Sequence, residues 1–251
     1  MDLGIEGRVA LVMGASKGIG NAIGVALARE GARVALASRD PERIAAAADE
    51  IGSGAVGIAA DTADLERLSR LPGDAAELLG APVEILITNT GGPPLGQALD
   101  ADLDAWRQAY EHLVLAPRVL IEAALPAMRE RRWGRIVNVG SSSTEEPIPG
   151  LTLSNAHRRA TVGFLKTLAG EVAGVGVTVN DVATGRFATD RLRENWGGEE
   201  AMRTGAIEGL PAGRLGEPAE YGDLVAFLCS ERAAYVTGAS IPIDGGLLRS
   251  V

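Results

Sequence analysis

The first residues able to do chemistry lie in Met13-Gly14-Ala15-Ser16-Lys17-Gly18-Ile19-Gly20, where an apolar run gives way to a glycine-rich turn and then to helical periodicity. Glycine permits positive φ and lets backbone amides approach a ligand closely, and a helix starting there adds the positive end of its dipole. Gly14, Ser16, Lys17, Gly18, Ile19 and Gly20 are therefore predicted to cradle the pyrophosphate of a nucleotide. The kind of nucleotide turns on the next apolar run, ALASRD, which ends in Ser38 and Arg39. An acidic residue there would accept hydrogen bonds from an adenosine ribose and repel a 2′-phosphate. Arg39, with Lys17 from the neighbouring turn, instead places two cations where a phosphate monoester would sit, so NADP(H) is expected in preference to NAD(H). Asp61 and Thr62 follow the third apolar run, within reach of an adenine edge. Asn89, Gly91 and Gly92 follow the fourth, where small residues let a cofactor lie close to backbone.

These turns need a scaffold, and the chain supplies it as alternating short β-branched runs and longer helical segments. Strands are predicted at 8–13, 33–38, 55–60, 83–88, 135–140, 177–182 and 239–244. Helices are predicted to begin near Ile19, Pro41, Asp64, Leu103, Thr152, Arg191 and Pro218. The expectation is an α/β fold of one domain over 1–251, a doubly wound parallel sheet with helices on both faces. The Gly- and Glu-rich stretch 195–213 is the least regular part and a candidate substrate lid over the carboxyl ends of the strands.

A net charge of -9 over 251 residues argues against nucleic acid or an anionic membrane as the partner, leaving a small-molecule substrate. The single Cys229 excludes an internal disulfide, and with only two histidines no metal site is expected. There is no signal-like start and no apolar run of membrane-spanning length, so a cytoplasmic protein is expected.

The chain resembles the short-chain dehydrogenase/reductase family over nearly its full length. The resemblance rests on GASKGIG at 14–20, TNTG at 88–91, GRIVNVGS at 134–141, GVTVNDVATG at 176–185, GRLGEPAEYGDLVAFLCSE at 213–231 and VTGASIPIDGG at 236–246. It implies an NAD(P)-dependent reductase of carbonyls or dehydrogenase of alcohols, assembled as a homodimer or homotetramer. The long helices of the fourth and fifth units would form the dimer face. It also implies a catalytic serine, which falls on Ser141, and a cofactor contact from the loop after the sixth strand, at Gly185 and Thr189. The family's tyrosine and lysine positions fall on Ser154 and Arg158, in LSNAHRRATVGF, and its asparagine position falls on Leu113. This SNxxR pattern in place of YxxxK looks like a divergent branch.

Ser154 and Arg158 are four apart and so share one helix face, as the tyrosine and lysine would. A serine hydroxyl is a far weaker acid than a phenol, and arginine keeps its proton. Three schemes are open: Ser141, Ser154 and Arg158 hold and stabilise an oxyanion while water gives the proton; His157 is the acid; or Arg158 binds a substrate carboxylate or enolate and the chemistry is not redox. An isomerase, dehydratase or cyclase, or an inactive cofactor-binding partner subunit, is the alternative to an oxidoreductase. His157 lies about 100° around the helix from Arg158 and is expected to face outward or toward a partner. Arg158 paired with Glu145, a solvated Glu145–Glu146 loop pair, and core or interface roles for Tyr110, Glu111 and His112 complete the expectations.

Overall fold

Seven parallel strands form one sheet in the order β3-β2-β1-β4-β5-β6-β7. The computed structural model describes residues 1–250, apart from the side chains of residues 195, 199, 201 and 203; Val251, the last residue of the predicted domain, lies outside the described residues. The strands are β1 (Val9–Met13), β2 (Arg33–Ser38), β3 (Val56–Ala59), β4 (Ile85–Thr88), β5 (Gly134–Val139), β6 (Val177–Thr184) and β7 (Ser240–Ile243). Nine helices surround them among the described residues: α1 (Gly18–Arg29), α2 (Pro41–Ile51), α3 (Leu65–Leu79), α4 (Leu103–Tyr110), α5 (Ala116–Arg131), α6 (Thr152–Val172), α7 (Asp190–Asn195), α8 (Glu199–Gly205) and α9 (Pro218–Leu228). Among the described residues no helix is long and apolar enough to cross a membrane.

Successive strand residues point to opposite faces, and both faces are covered, so the strands read as unbroken apolar runs. Leu11, Leu86 and Ile136 pack on one side with Leu68, Leu120 and Leu165 from α3, α5 and α6. Ala10, Val12, Ile85 and Val137 pack on the other with Ile23, Leu27 and Val225 from α1 and α9. Helix starts follow local chemistry: Asp40 accepts from the amides of Glu42 and Arg43 ahead of α2, Asp64 caps α3, and Glu217 and Glu220 form a capping box on α9.

Two expectations change. The helix predicted from Leu103 contains a π turn at Glu111–Leu115, which joins α4 to α5 without leaving helical backbone. Such turns recur at functional sites, and this one frees the Leu113 carbonyl to accept from Thr161 Oγ1 at 2.6 Å. The stretch 195–213 is also not simply irregular. It contains α8, whose Met202, with Ala206 just past the helix end, forms an apolar cluster with Leu210, Leu215 and Leu192. An i, i+4 pair buries one face of a single turn even in a Gly- and Glu-rich segment.

The strand order reverses between β1 and β4, and the carboxyl ends of those strands are where an open α/β sheet binds its ligand. The α1 helix that must hold that end in place is itself fixed by close contact with α9. A Cβ added at Gly222 would lie 2.5 Å from the Ala22 carbonyl oxygen. Gly222→Ala should therefore destabilise the protein by about 1–3 kcal/mol, read as a lower denaturation midpoint at unchanged m-value. An unchanged midpoint would mean that α1 and α9 can separate without penalty.

Candidate active site

A cleft of about 810 Å³ opens at the strand reversal. It is lined by Gly14, Ser16, Lys17, Gly18, Ile19, Gly20, Ser38, Arg39, Asp61, Thr62, Asn89, Gly91 and Thr189, so all but one of the residues predicted to hold a cofactor come together. Gly185 is the exception. It packs on β7, where a Cβ would meet the Asp244 Cα at 2.4 Å, and it does not border the cleft.

The turn is built from opposed constraints. Gly14 and Gly18 adopt φ of +60° and +61°. Gly20 has ordinary φ but no room for a side chain, since its Cβ would stand 2.3 Å from the Gly14 carbonyl oxygen. Asn89 Nδ2 donates to that same carbonyl at 3.3 Å, tying the end of β4 to the turn. Lys17 offers α1 no side-chain cap, which leaves the first-turn amides to a ligand anion. At the end of β2, the Ser38 hydroxyl is buried without a hydrogen-bond partner among the described residues, beside the exposed Arg39. A buried unpaired hydroxyl costs about 1–3 kcal/mol, and a ribose or phosphate oxygen would relieve it. Glycine cradle, open amides, orphan hydroxyl and guanidinium fit the adenosine end of NADP(H). Lys17 departs from expectation. Its ammonium is turned to α7, 3.0 Å from Asp190 and 4.0 Å from Glu194, because those carboxylates are its nearest anions.

The catalytic candidates sit at the ends of β5 and α6, and none of Ser141, Ser154 and Arg158 borders the open cleft, whereas Leu113, Pro93 and Arg191 do. Ser141 Oγ accepts from the Ser143 amide at 3.1 Å, capping a short 3-10 turn over Ser142–Thr144. Ser154 is buried, and its hydroxyl makes no hydrogen bond with a described residue. Arg158 Nη1 donates to the Val139 carbonyl at 2.9 Å, two residues before Ser141. Desolvation lowers the Arg158 pKa and the nearby Asp181 carboxylate opposes that shift, so the guanidinium stays charged.

Asp181 is the residue the sequence reading missed. It lies on β6, is 2% exposed, and accepts from Asn138 Nδ2 at 2.6 Å and from Ser240 Oγ at 3.2 Å. Asn138 accepts in turn from Thr88 Oγ1 at 2.8 Å. Burial raises the Asp181 pKa from 3.8 to about 6, against the pull of Asn138 and Arg158. Thr184, at the end of β6, finds a partner in the same region: its hydroxyl lies 3.0 Å from that of the buried Tyr221, whose pKa burial pushes far up. Tyr221 is therefore a packing phenol, away from the cleft lining.

Other expectations are redistributed. Glu145 pairs with Arg159, not Arg158, at 3.7 Å. Glu146 Oε1 accepts from the amides of Arg249 and Ser250 at 2.8 and 2.6 Å, which hold its carboxyl below the usual range and dock the C-terminal tail. His157 does not face outward: it is buried, its ring 5.1 Å from that of Trp106 and its Nδ1 2.8 Å from the Leu153 carbonyl oxygen. His112, expected in the core or an interface, lines the cleft with Gln108.

Comparison with known proteins agrees with this architecture. A family model described as enoyl-(acyl carrier protein) reductase matches residues 14–248. The chain is 34% identical over 245 residues to the 3-oxoacyl-(acyl-carrier-protein) reductase FabG of Vibrio harveyi, covering 98% of this chain and 99% of that one. It is 34% identical to the human dehydrogenase/reductase SDR family member 4, covering 96% of this chain and 88% of the relative. Among solved structures, the L-sorbose reductase of Gluconobacter frateurii complexed with NADPH and L-sorbose superposes with a TM-score of 0.94 at 30% identity, covering 100% of both chains.

The buried carboxylate makes stability depend on pH with a definite sign. A folded pKa of about 6 against an ordinary 3.8 means the folded state holds this proton more tightly, so Asp181 weakens the fold as pH rises through that window and the loss persists above it. Asp181→Asn keeps the shape and the Asn138 bond. It should stabilise the protein at pH 8 by about 1–3 kcal/mol, with the gain vanishing toward pH 4. Denaturant titrations at both pH values decide it; a loss of stability at pH 8 would mean that the charge of Asp181 is net stabilising.

Proposed function

The chain belongs to the short-chain dehydrogenase/reductase family, and on that premise we propose that it is an NADP(H)-dependent oxidoreductase acting on a carbonyl or alcohol carbon. In this reading Ser154 and Arg158 stand in for a tyrosine and a lysine. The observation that carries it is the 2.9 Å bond from Arg158 to the Val139 carbonyl, which fixes a permanent positive charge at the carboxyl end of β5, two residues along the chain from Ser141. Preference for NADP(H) is supported by the orphan Ser38 hydroxyl and exposed Arg39, and by the NADPH complex of the similar L-sorbose reductase.

Bound NADPH supplies the hydride. The Ser141 hydroxyl donates to the carbonyl oxygen, and the unpaired Ser154 hydroxyl is free to give a second hydrogen bond. Arg158 opposes the negative charge that develops on that oxygen as the carbonyl carbon is reduced, a role that needs a fixed dipole or charge and no proton transfer. Water then protonates the alkoxide. Asp181, from below, compensates the guanidinium without touching substrate. Forgoing a side-chain acid gives up roughly 10²–10⁴ in rate, while positioning alone can contribute about 7–11 kcal/mol. The segment 195–213, carrying α8, is the lid that covers the substrate side, and α4 to α6 form the face on which two copies pair.

A single-turnover assay with bound NADPH and a panel of activated ketones should show loss of the reduced-nicotinamide absorbance, and Ser141→Ala should slow it about 10²-fold or more. If the absorbance never decays with any ketone, and Ser154→Tyr with Arg158→Lys restores nothing, the protein is not an oxidoreductase. Separately, Arg39→Asp should shift the ratio of NADPH to NADH affinity toward NADH by about tenfold or more. An unchanged ratio would remove Arg39 from the phosphate site.

A further inference from the structure

One cation of the cleft has no part in the scheme above. Arg191, on α7, borders the cleft together with Gly92, Pro93, Gln108 and His112. Its guanidinium lies across the loop after β4: a Cβ on Gly92 would meet Nη2 at 2.6 Å, so glycine is what lets it pass. Its one hydrogen bond there, to the Pro93 carbonyl, is stretched to 3.5 Å. Asp190 beside it is engaged by Lys17 and Arg193, and Arg191 forms no ion pair with a described residue. Arg191 thus brings to the cleft a guanidinium that pairs with no carboxylate among the described residues, in a protein of net charge -9. A cation so placed gains a charge-assisted bond when an anion joins it.

The phosphates of the cofactor are already provided for, by the amides at the start of α1 and by Ser38 with Arg39, so the anion belongs to the substrate. A single planar fork matches a carboxylate, which it can hold through two parallel bonds. We propose that Arg191 binds a carboxylate of the substrate, so that the carbonyl compound reduced here is an oxo acid. This rests on the oxidoreductase reading.

The test uses matched probes, benzoylformate with its methyl ester and acetoacetate with its ethyl ester, which differ in the carboxylate and keep the carbonyl. Wild-type protein should prefer the acid of at least one pair in kcat/KM. Arg191→Gln should reduce that acid-to-ester ratio about 10- to 100-fold, and Arg191→Lys should recover part of it. Binding of benzoylformate and acetoacetate to the NADPH complex, followed by quenching of NADPH fluorescence, reads the same site without turnover. If no probe is reduced but acid binding still depends on Arg191, the oxidoreductase reading falls and the carboxylate site stands. If probes are reduced with a ratio that Arg191→Gln leaves unchanged, or if neither acid binds the wild-type complex, the carboxylate site is wrong. A variant that loses NADPH affinity with the ratio intact assigns Arg191 to the cofactor and equally overturns it.

Discussion

A half-buried guanidinium that cannot lose its proton sets the terms for the carboxyl end of this sheet. Arg158 needs an acceptor and a counter-charge, and it has the Val139 carbonyl and the field of Asp181. Asp181 is buried too and must be satisfied in its turn, by Asn138 on β5 and Ser240 on β7, while Asn138 is held by Thr88 on β4. One string of polar groups therefore crosses four adjacent strands of an otherwise apolar sheet. Gly140 belongs to the same constraint, since any Cβ there would sit 2.4 Å from a carboxylate oxygen of Asp181. Partly satisfied polar networks are worse than apolar packing, and this one leaves Asp181 with a pKa near 6, so some stability is given up to keep a charge at the site.

The two ends of the cleft are held with different firmness. On the cofactor side, Gly14, Gly20 and Asn89 interlock at distances that admit no side chain. Across from them α7 is attached through the Lys17–Asp190 pair, in which both side chains are about half exposed. Exposed pairs of this kind contribute about 0–1 kcal/mol, so the pair ties α7 to the turn only weakly, and α7 is held also by Leu192 in the cluster with Met202 and Leu210. The catalytic candidates stand outside the open cleft, which Leu113, Pro93 and Arg191 line.

Much of this was legible in the chain because it is local. Strand positions, helix starts near Pro41 and Asp64, the glycine turn and the residues after β2, β3 and β4 follow from spacing and residue type alone, and the cleft gathers the turn and those residues. The unread parts depend on contacts between segments far apart in sequence. Nothing near Lys17 announces Asp190, and nothing in a helical HRR tells which arginine meets Glu145 or that His157 packs under Trp106. Asp181 did leave a signal: an Asn-Asp pair inside VTVNDV is out of place in a strand buried on both faces. Thr184 and Tyr221 left one as well, each a hydroxyl in a setting that must supply it a partner, and they partner one another.

What distinguishes this site from one built on a phenol and an ammonium is that its cation does not titrate. The rate constant for hydride transfer in a single turnover, isolated by the isotope effect of NADPH deuterated at the transferred position, reads that directly between about pH 7.5 and 9.5. With Arg158 fixed and water as the proton source, the rate should stay level within about twofold across that range. A rate that climbs or falls tenfold per pH unit over part of it, following one ionising side chain, would contradict the role given to Arg158.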